Sequence, residues 1–175
     1  IKELIKVDQR WVPNGEQCSL YIRPFIFGTE SFLGVRPSKQ YSFMVILSPV
    51  GNYYSEGEKP VKIWIEDQYV RAVAGGLGAV KAGANYAASL RASYNAKEKG
   101  YAQVLWLDSE HSSIQEVGTM NIFFVFKNEI ITPELNGSIL AGVTRDSVLN
   151  LLKLRNLPVI ERKITVSELI KRINE

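Results

Sequence analysis

The chain has 175 residues, 46% hydrophobic and 22% charged, a composition that excludes a disordered or fibrous protein and permits a sizeable core. Lys and Arg total 21 against 18 Asp and Glu, so the net charge is only +3, and the chain has no basic block; we therefore expect no nucleic-acid partner. No apolar run approaches the roughly 18 residues of a membrane span, so we expect no membrane partner either. One cysteine (Cys18) and one histidine (His111) permit neither an internal disulfide nor a Cys/His metal site, and the first residues do not resemble a signal peptide, so we expect a cytoplasmic protein.

The first third of the chain is predicted to be mainly strand. Apolar residues among charges in 1–12 suggest the end of a helix before a Pro-Asn-Gly turn. Aromatic and β-branched residues then predict strands, joined by turns that include 51–52 and 55–57. The predicted strands cover residues 19–27, 41–50 and 61–66.

The remaining chain alternates between helix and strand signals. A glycine-rich segment, 74–84, leads into a helix from Asn85 that Gly100 should end, and a second helix opens at 140–144 and ends near 156–158. Strands are predicted at 102–107, 120–126, 129–132 and 159–164, and Thr165 and Glu168 have capping-box spacing before a last helix. We therefore predict an α+β fold with mainly antiparallel strands, in which helices pack outside a barrel-like folded sheet.

Lys81 is the first candidate for chemistry. It lies in a glycine-rich strand-to-helix junction, where a lysine amine has little room to be an ordinary solvated side chain. The ordinary alternative is a surface charge, the commonest fate of a lysine. A nucleotide-binding glycine loop is excluded, because the segment lacks the third glycine of a dinucleotide fingerprint and no Gly-Lys-Ser/Thr occurs.

Glu116 is the second candidate, since it stands among apolar residues before an apolar segment. A buried carboxylate in this place would need a cationic partner, and the alternative is a solvated glutamate at a turn or strand edge.

Two further groups could bind anions. Gly142, Val143 and Thr144 precede a helix, so their backbone N–H groups and a hydroxyl could hold an anion, although a plain N-cap would look the same. Tyr21 and Arg23 are two residues apart on a strand and project from one face, where they could meet a carboxylate.

These features share a chemical logic. A lysine that can form a Schiff base, a carboxylate for a pyridinium nitrogen and a helix N-terminus for a phosphate are the fixtures of a pyridoxal-phosphate enzyme. The chain also resembles the branched-chain amino acid aminotransferases, which are class IV, fold type IV enzymes. The resemblance runs almost end to end through five motifs in the family's order: 20–24 (LYIRP), 75–86 (GGLGAVKAGANY), 103–107 (QVLWL), 116–121 (EVGTMN) and 140–145 (LAGVTR).

The resemblance implies a role for each matching residue. Lys81 would be the catalytic lysine, which binds pyridoxal 5'-phosphate and moves the proton at the substrate Cα, and Glu116 would pair with the pyridine nitrogen. The other implied cofactor-binding residues are Tyr86, Thr119, Leu140, Gly142, Val143 and Thr144. Substrate binding would fall to Tyr21, Arg23 and Thr119, with a loop like 32–35 contributed across a dimer interface.

The implied reaction is a two-half amino transfer. Leucine, isoleucine or valine would give its amino group to the cofactor, and 2-oxoglutarate would then take it to become glutamate. Since the chain starts at Ile1, we expect it to be most of the cofactor-binding large domain, 1–175, with the preceding interdomain segment. The family's N-terminal small domain and the extreme C-terminal part would be missing, so we expect little or no activity from this piece alone and a homodimer at full length.

Other interpretations remain open at this point. D-amino acid aminotransferases, amine transaminases and aminodeoxychorismate lyase share the lysine and glutamate logic within the same fold type. A non-catalytic binding or dimerisation domain is an alternative of a different class. Lys81 discriminates that alternative from the enzymes, because a binding module does not need this lysine.

Overall fold

Residues Ile1–Lys59 and Pro60–Glu175 form two compact units. The structure is a computed structural model that describes residues 1–52 and 59–174. In these residues no helix combines the length and the apolar character needed to cross a bilayer.

The first unit is built around one antiparallel hairpin. Strand β1 (Ser19–Gly28) pairs with β2 (Tyr41–Val50) along its whole length, so that Ser19 lies opposite Val50. Helix α1 (Lys2–Val7) and a 3-10 turn (Gln9–Trp11) precede the hairpin. The predicted strands 19–27 and 41–50 are therefore confirmed, whereas the turn predicted at 55–57 lies outside the described residues.

The elements of the second unit are, in chain order, β3 (Ile63–Ile65), α2 (Gly83–Glu98), β4 (Gln103–Leu107), β5 (Ile114–Val117), β6 (Phe124–Val125), β7 (Ile130–Thr132), α3 (Val143–Leu154), β8 (Val159–Glu161) and α4 (Val166–Ile173). The strands form two three-stranded sheets, with strand orders β3-β4-β5 and β6-β7-β8. A helix connects the two strands of each parallel pair, α2 between β3 and β4 and α3 between β7 and β8, while β4-β5 and β6-β7 are antiparallel.

The fold is α+β, as predicted, and three of the five strand pairings in the described residues are antiparallel. The N-cap half of the predicted capping box is confirmed, because the Thr165 hydroxyl accepts a hydrogen bond from the Glu168 amide at 3.1 Å at the start of α4, whereas the Glu168 carboxylate pairs with Arg162. The junction between strand and helix in 74–82 is irregular, and it ends where α2 begins at Gly83.

One stretch of the second unit differs from the prediction. The strand expected over 120–126 shrinks to β6, and the chain instead forms β5, which was not predicted. All four residues of β5 are buried, so both faces of this strand are covered and its two polar residues break the alternation that marks a half-buried strand. A tight turn then follows, in which the amides of Val117 and Met120 donate to each other's carbonyls.

Two apolar clusters hold the second unit together. One packs Ala92 and Ala96 of α2 against Val104 and Trp106 of β4. The other joins β4 and β5 to β7 and the chain before α4, with Leu105, Leu107, Ile114, Val117, Ile131 and Ile164. β4 contributes to both clusters, and the position of β5 is fixed by its pairing with β4 and by the second cluster.

Candidate active site

Glu116 lies on β5, opposite Trp106 of β4, and its side chain is only 4% exposed. One carboxylate oxygen, Oε1, accepts hydrogen bonds from the Leu140 amide at 2.9 Å and from the Asn121 side-chain amide at 3.3 Å. The other, Oε2, lies 2.9 Å from Nε of Arg71. The sequence left a solvated glutamate open as an alternative, and the structure excludes it.

The electrostatics of Glu116 reflect this burial. Burial raises the pKa of Glu116 above its ordinary value, and three groups oppose the rise: first the Arg71 guanidinium, then the Leu140 amide, then Lys81. A carboxylate can accept about four hydrogen bonds. Three donors reach Glu116 in the described residues, so the carboxylate has capacity for one more, which a protonated ring nitrogen could use.

Lys81 follows a tight turn held by the side chain of Asn85. The Asn85 amide nitrogen donates to the carbonyls of Leu77 and Val80, both at 2.8 Å, from the first turn of α2. Gly78 allows this turn to approach the neighbouring segment, because a Cβ at position 78 would overlap the backbone of Ser138. Gly78 is therefore needed for close packing.

Lys81 and Glu116 line one pocket within the second unit. Lys81 itself is exposed to solvent, so the expectation that its side chain has little room to be solvated is wrong. The turn before Lys81 packs tightly, but this packing does not bury the lysine side chain. Its Nζ lies 6.0 Å from the ring centroid of Tyr86, which is 41% exposed. The pocket is lined by Arg71, Val80, Lys81, Asn85, Tyr86, Ser89, Glu116, Gly118, Thr119, Asn121 and Leu140.

The segment around Leu140 closes another side of the pocket. The Leu140 amide donates to Glu116, and its carbonyl accepts from Asn121 at 2.8 Å. Gly142 is the N-cap of α3, and a Cβ there would collide with the side chain of Asn121. Asn121 thus connects the carboxylate to the beginning of α3.

The remaining predicted residues lie outside this lining. Gly142, Val143 and Thr144 begin α3 two to four residues beyond Leu140, where the first-turn amides of a helix have no partner within the helix. Tyr21 and Arg23 belong to the first unit, where the Arg23 guanidinium donates to the Tyr21 hydroxyl at 2.8 Å. That bond confirms that the two side chains share one face of β1.

Comparisons with known proteins identify the family of this chain. The family model for amino-transferase class IV matches residues 1–173. The chain belongs to the class IV aminotransferases. A curated relative, branched-chain-amino-acid aminotransferase 2 of Bacillus subtilis (strain 168), is 58% identical over 172 residues, which make up 98% of this chain and 47% of the relative.

Solved structures show the same relationship for the class IV fold. The branched-chain amino acid aminotransferase of Escherichia coli matches with a TM-score of 0.74 at 33% identity, over 85% of this chain and 50% of that one. The branched-chain amino acid aminotransferase of Thermobaculum terrenum, in its PLP-bound holo form, matches with a TM-score of 0.74 at 26% identity, over 95% of this chain and 52% of that one. The chain therefore spans about half the length of the relatives it matches.

Several residues that line the pocket were not predicted from the sequence, above all Arg71. A buried carboxylate needs a cation, but the family resemblance assigns that role to the cofactor ring. Arg71 precedes the glycine-rich segment and is distant from Glu116 in sequence, so only the demand for a cation could have pointed to it. Asn85 and Asn121 stood within the quoted motifs, yet their hydrogen bonds require the folded turns.

Proposed function

We propose that the protein to which this chain belongs is a pyridoxal-phosphate-dependent transaminase. It transfers the amino group of leucine, isoleucine or valine to 2-oxoglutarate and yields branched 2-oxo acids and glutamate. The observation that carries the proposal is the shared pocket of Lys81 and Glu116, an amine and a buried carboxylate, in a class IV chain. The choice of branched substrates follows relatives named for them.

The residues of the pocket fit pyridoxal 5'-phosphate. Glu116 has capacity to accept a bond from a protonated ring nitrogen, Lys81 supplies the amine for a covalent link, and the Tyr86 hydroxyl suits the ring's phenolic oxygen. Leu140 and Thr119 would lie beside the ring, and Gly142, Val143 and Thr144 would hold the phosphate at the positive end of α3. When bound, the cofactor supplies an electron-accepting ring conjugated to an electrophilic carbon.

Each protein group has a separate task in this reaction. Lys81 Nζ would take the proton from the substrate Cα and deliver it to the cofactor's electrophilic carbon, which requires a free amine at that stage. Glu116 keeps the ring nitrogen protonated, and the buried hydrogen bonds around the carboxylate fix its direction. Tyr21 and Arg23 bind the substrate side, with Arg23 suited to the distal carboxylate of glutamate or 2-oxoglutarate.

Residues 1–175 form most of the large domain, whose strands complete a barrel-like folded sheet in the whole protein. A small N-terminal domain and the extreme C-terminal part belong to the same protein, which is a cytoplasmic homodimer whose 32–35 loop contributes to the partner's pocket. The half-length match to the relatives supports this division, and we expect little or no transaminase activity from the 175-residue chain alone.

The test is covalent trapping of the cofactor. Purified protein is mixed with pyridoxal phosphate, its visible absorbance is recorded, borohydride is added, and the labelled lysine is located by mass mapping. We expect a visible band and a reduced adduct on Lys81 that Lys81→Ala abolishes, with Lys97→Ala, an exposed lysine of α2, as the matched control.

The outcome separates the possible functions. A full-length protein that forms no adduct would overturn the enzyme interpretation in favour of a binding or dimerisation domain. A substrate panel on the full-length protein tests the narrower claim, since faster turnover of D-amino acids or simple amines than of leucine, isoleucine and valine would overturn it.

A further inference from the structure

Arg71 carries a buried positive charge that the proposed reaction does not use directly. Its side chain is 10% exposed, and its Nε pairs with Oε2 of Glu116, which is 4% exposed. A buried ion pair is maintained only when its geometry is good and further hydrogen bonds satisfy the remaining polar atoms. Arg71 meets this condition, because its Nη2 also donates to backbone carbonyls.

Those carbonyls belong to the two segments on either side of the pocket. Nη2 of Arg71 donates to the Ser138 carbonyl at 2.5 Å and lies 3.3 Å from that of Gly78. Gly78 is three residues before Lys81, and Ser138 is two residues before Leu140. One guanidinium therefore links the turn that precedes the lysine, the strand that carries Glu116 and the segment that donates to Glu116.

The shape of the side chain suits this position. A guanidinium presents five N–H donors in a rigid plane, so it can meet a carboxylate and two carbonyls at once. A lysine ammonium carries the same charge as a compact point and lacks this fixed fork. Charge and geometry can thus be separated by substitution.

The electrostatic part rests on the surroundings of Glu116. Its Oε1 is occupied by the neutral donors of Leu140 and Asn121, so within residues 1–52 and 59–174 Arg71 is the charged group in direct contact with the carboxylate. Lys81 is the other cation that acts on it, and it acts less strongly. Without Arg71, burial would favour the protonated, neutral carboxyl of Glu116, which has no negative charge to pair with a protonated ring nitrogen.

We propose that Arg71 is a positioning residue of this site, which holds Glu116 as an oriented carboxylate and ties the Lys81 turn to the segment before Leu140. The consequence for the cofactor rests on the proposed function, whereas the effect on Glu116 does not. Arg71 is not proposed to touch the substrate.

The first measurement needs no cofactor. Glutamate carboxyl carbons are labelled and titrated by NMR in the protein, and the Glu116 signal is assigned by its loss in Glu116→Gln. In Arg71→Met we expect the ratio of protonated to ionised Glu116 at a given pH to rise by about tenfold or more. Arg71→Lys should retain much of the ionised form because it keeps the charge, and exposed Arg91→Met should behave as wild type.

The second measurement is the affinity for pyridoxal phosphate in the full-length protein. We expect both Arg71 variants to bind it more weakly, because neither keeps the three-way link, with Arg71→Met weakened by about tenfold or more. A purely structural Arg71 would lower thermal stability in both variants while leaving the Glu116 titration unchanged, and that result overturns the proposal.

The two proposals fail in different ways. If Arg71→Met does not fold, Arg71→Lys decides the question. An Arg71→Lys protein in which Glu116 titrates as in wild type and pyridoxal phosphate binds with wild-type affinity would overturn the role of Arg71. If the wild-type protein forms no adduct with the cofactor, the proposed function fails, and the Glu116 titration still decides the role of Arg71.

Discussion

Replacing Gly78 with alanine should displace the turn that leads to Lys81. A Cβ at position 78 would lie 2.6 Å from the Cα and carbonyl carbon of Ser138. Carbon atoms in contact are ordinarily about 3.5–4.0 Å apart, so one of the two backbone segments must move by about 1 Å. Neither is the free end of a flexible side chain.

The magnitude follows from this overlap. Overpacking a well-packed site costs about 1–3 kcal/mol of unfolding free energy. The same movement disturbs Arg71, because its Nη2 bridges the carbonyls of Gly78 and Ser138, so we expect the loss to lie in the upper part of that range. The pyridoxal phosphate adduct on Lys81 should also form more slowly.

The assay is urea unfolding followed by circular dichroism, together with borohydride trapping. Gly83→Ala is the matched control, because it lies two residues after Lys81 and an added Cβ meets nothing within 4 Å. As the first residue of α2, it should be neutral or slightly stabilised by alanine. A Gly78→Ala protein within about 0.5 kcal/mol of wild type, with unchanged adduct formation, would refute the close contact.

Three further predictions concern groups around the site and the last helix. Trp106→Phe should lower the unfolding free energy by about 1–3 kcal/mol, because the Trp106 Nε1 donates to the buried Gly118 carbonyl at 2.9 Å; urea unfolding checks this, and an unchanged midpoint contradicts it. Thr165→Ala should cost about 1 kcal/mol by removing the cap on the Glu168 amide, whereas Thr165→Ser should cost less; equal losses would mean that the hydroxyl is not the cap. Folding raises the pKa of Glu116, so as pH rises the unfolded state loses this proton before the folded state does. Wild type should therefore lose stability relative to Glu116→Gln as pH rises through the pKa of the unfolded state and then that of the folded state. Thermal unfolding of both proteins from acid to neutral pH tests this, and a stability difference that changes with pH in the opposite direction contradicts it.

Elements with a strong local pattern were predicted well from the sequence. The strand at 41–50 has the predicted bounds, and α4 begins with the predicted cap, because a run of β-branched and aromatic residues or a capping box acts through neighbouring residues. The paired projection of Tyr21 and Arg23 also follows from the period of a strand alone.

The environment of Glu116 shows where this local argument ends. The strand β5 was missed because its Gln and Glu residues do not alternate with apolar ones, and they are buried only because other elements cover both faces. Arg71 could not be assigned as the partner, since its contact with Glu116 joins residues 45 positions apart through the folded chain. The exposure of Lys81 likewise depends on how α2 and the preceding turn meet.

The sequence by itself determined the family and the α+β class, and it pointed to Lys81 and Glu116 as candidates, because five ordered motifs and local periodicity are properties of the chain. Only the tertiary structure decided that Lys81, Tyr86, Glu116, Thr119 and Leu140 line one pocket. It also decided that Arg71 neutralises the carboxylate from within the protein. The physical reason is that burial and ion pairing depend on distances between segments far apart in sequence, which the packing of β5, the Lys81 turn and the Leu140 segment sets.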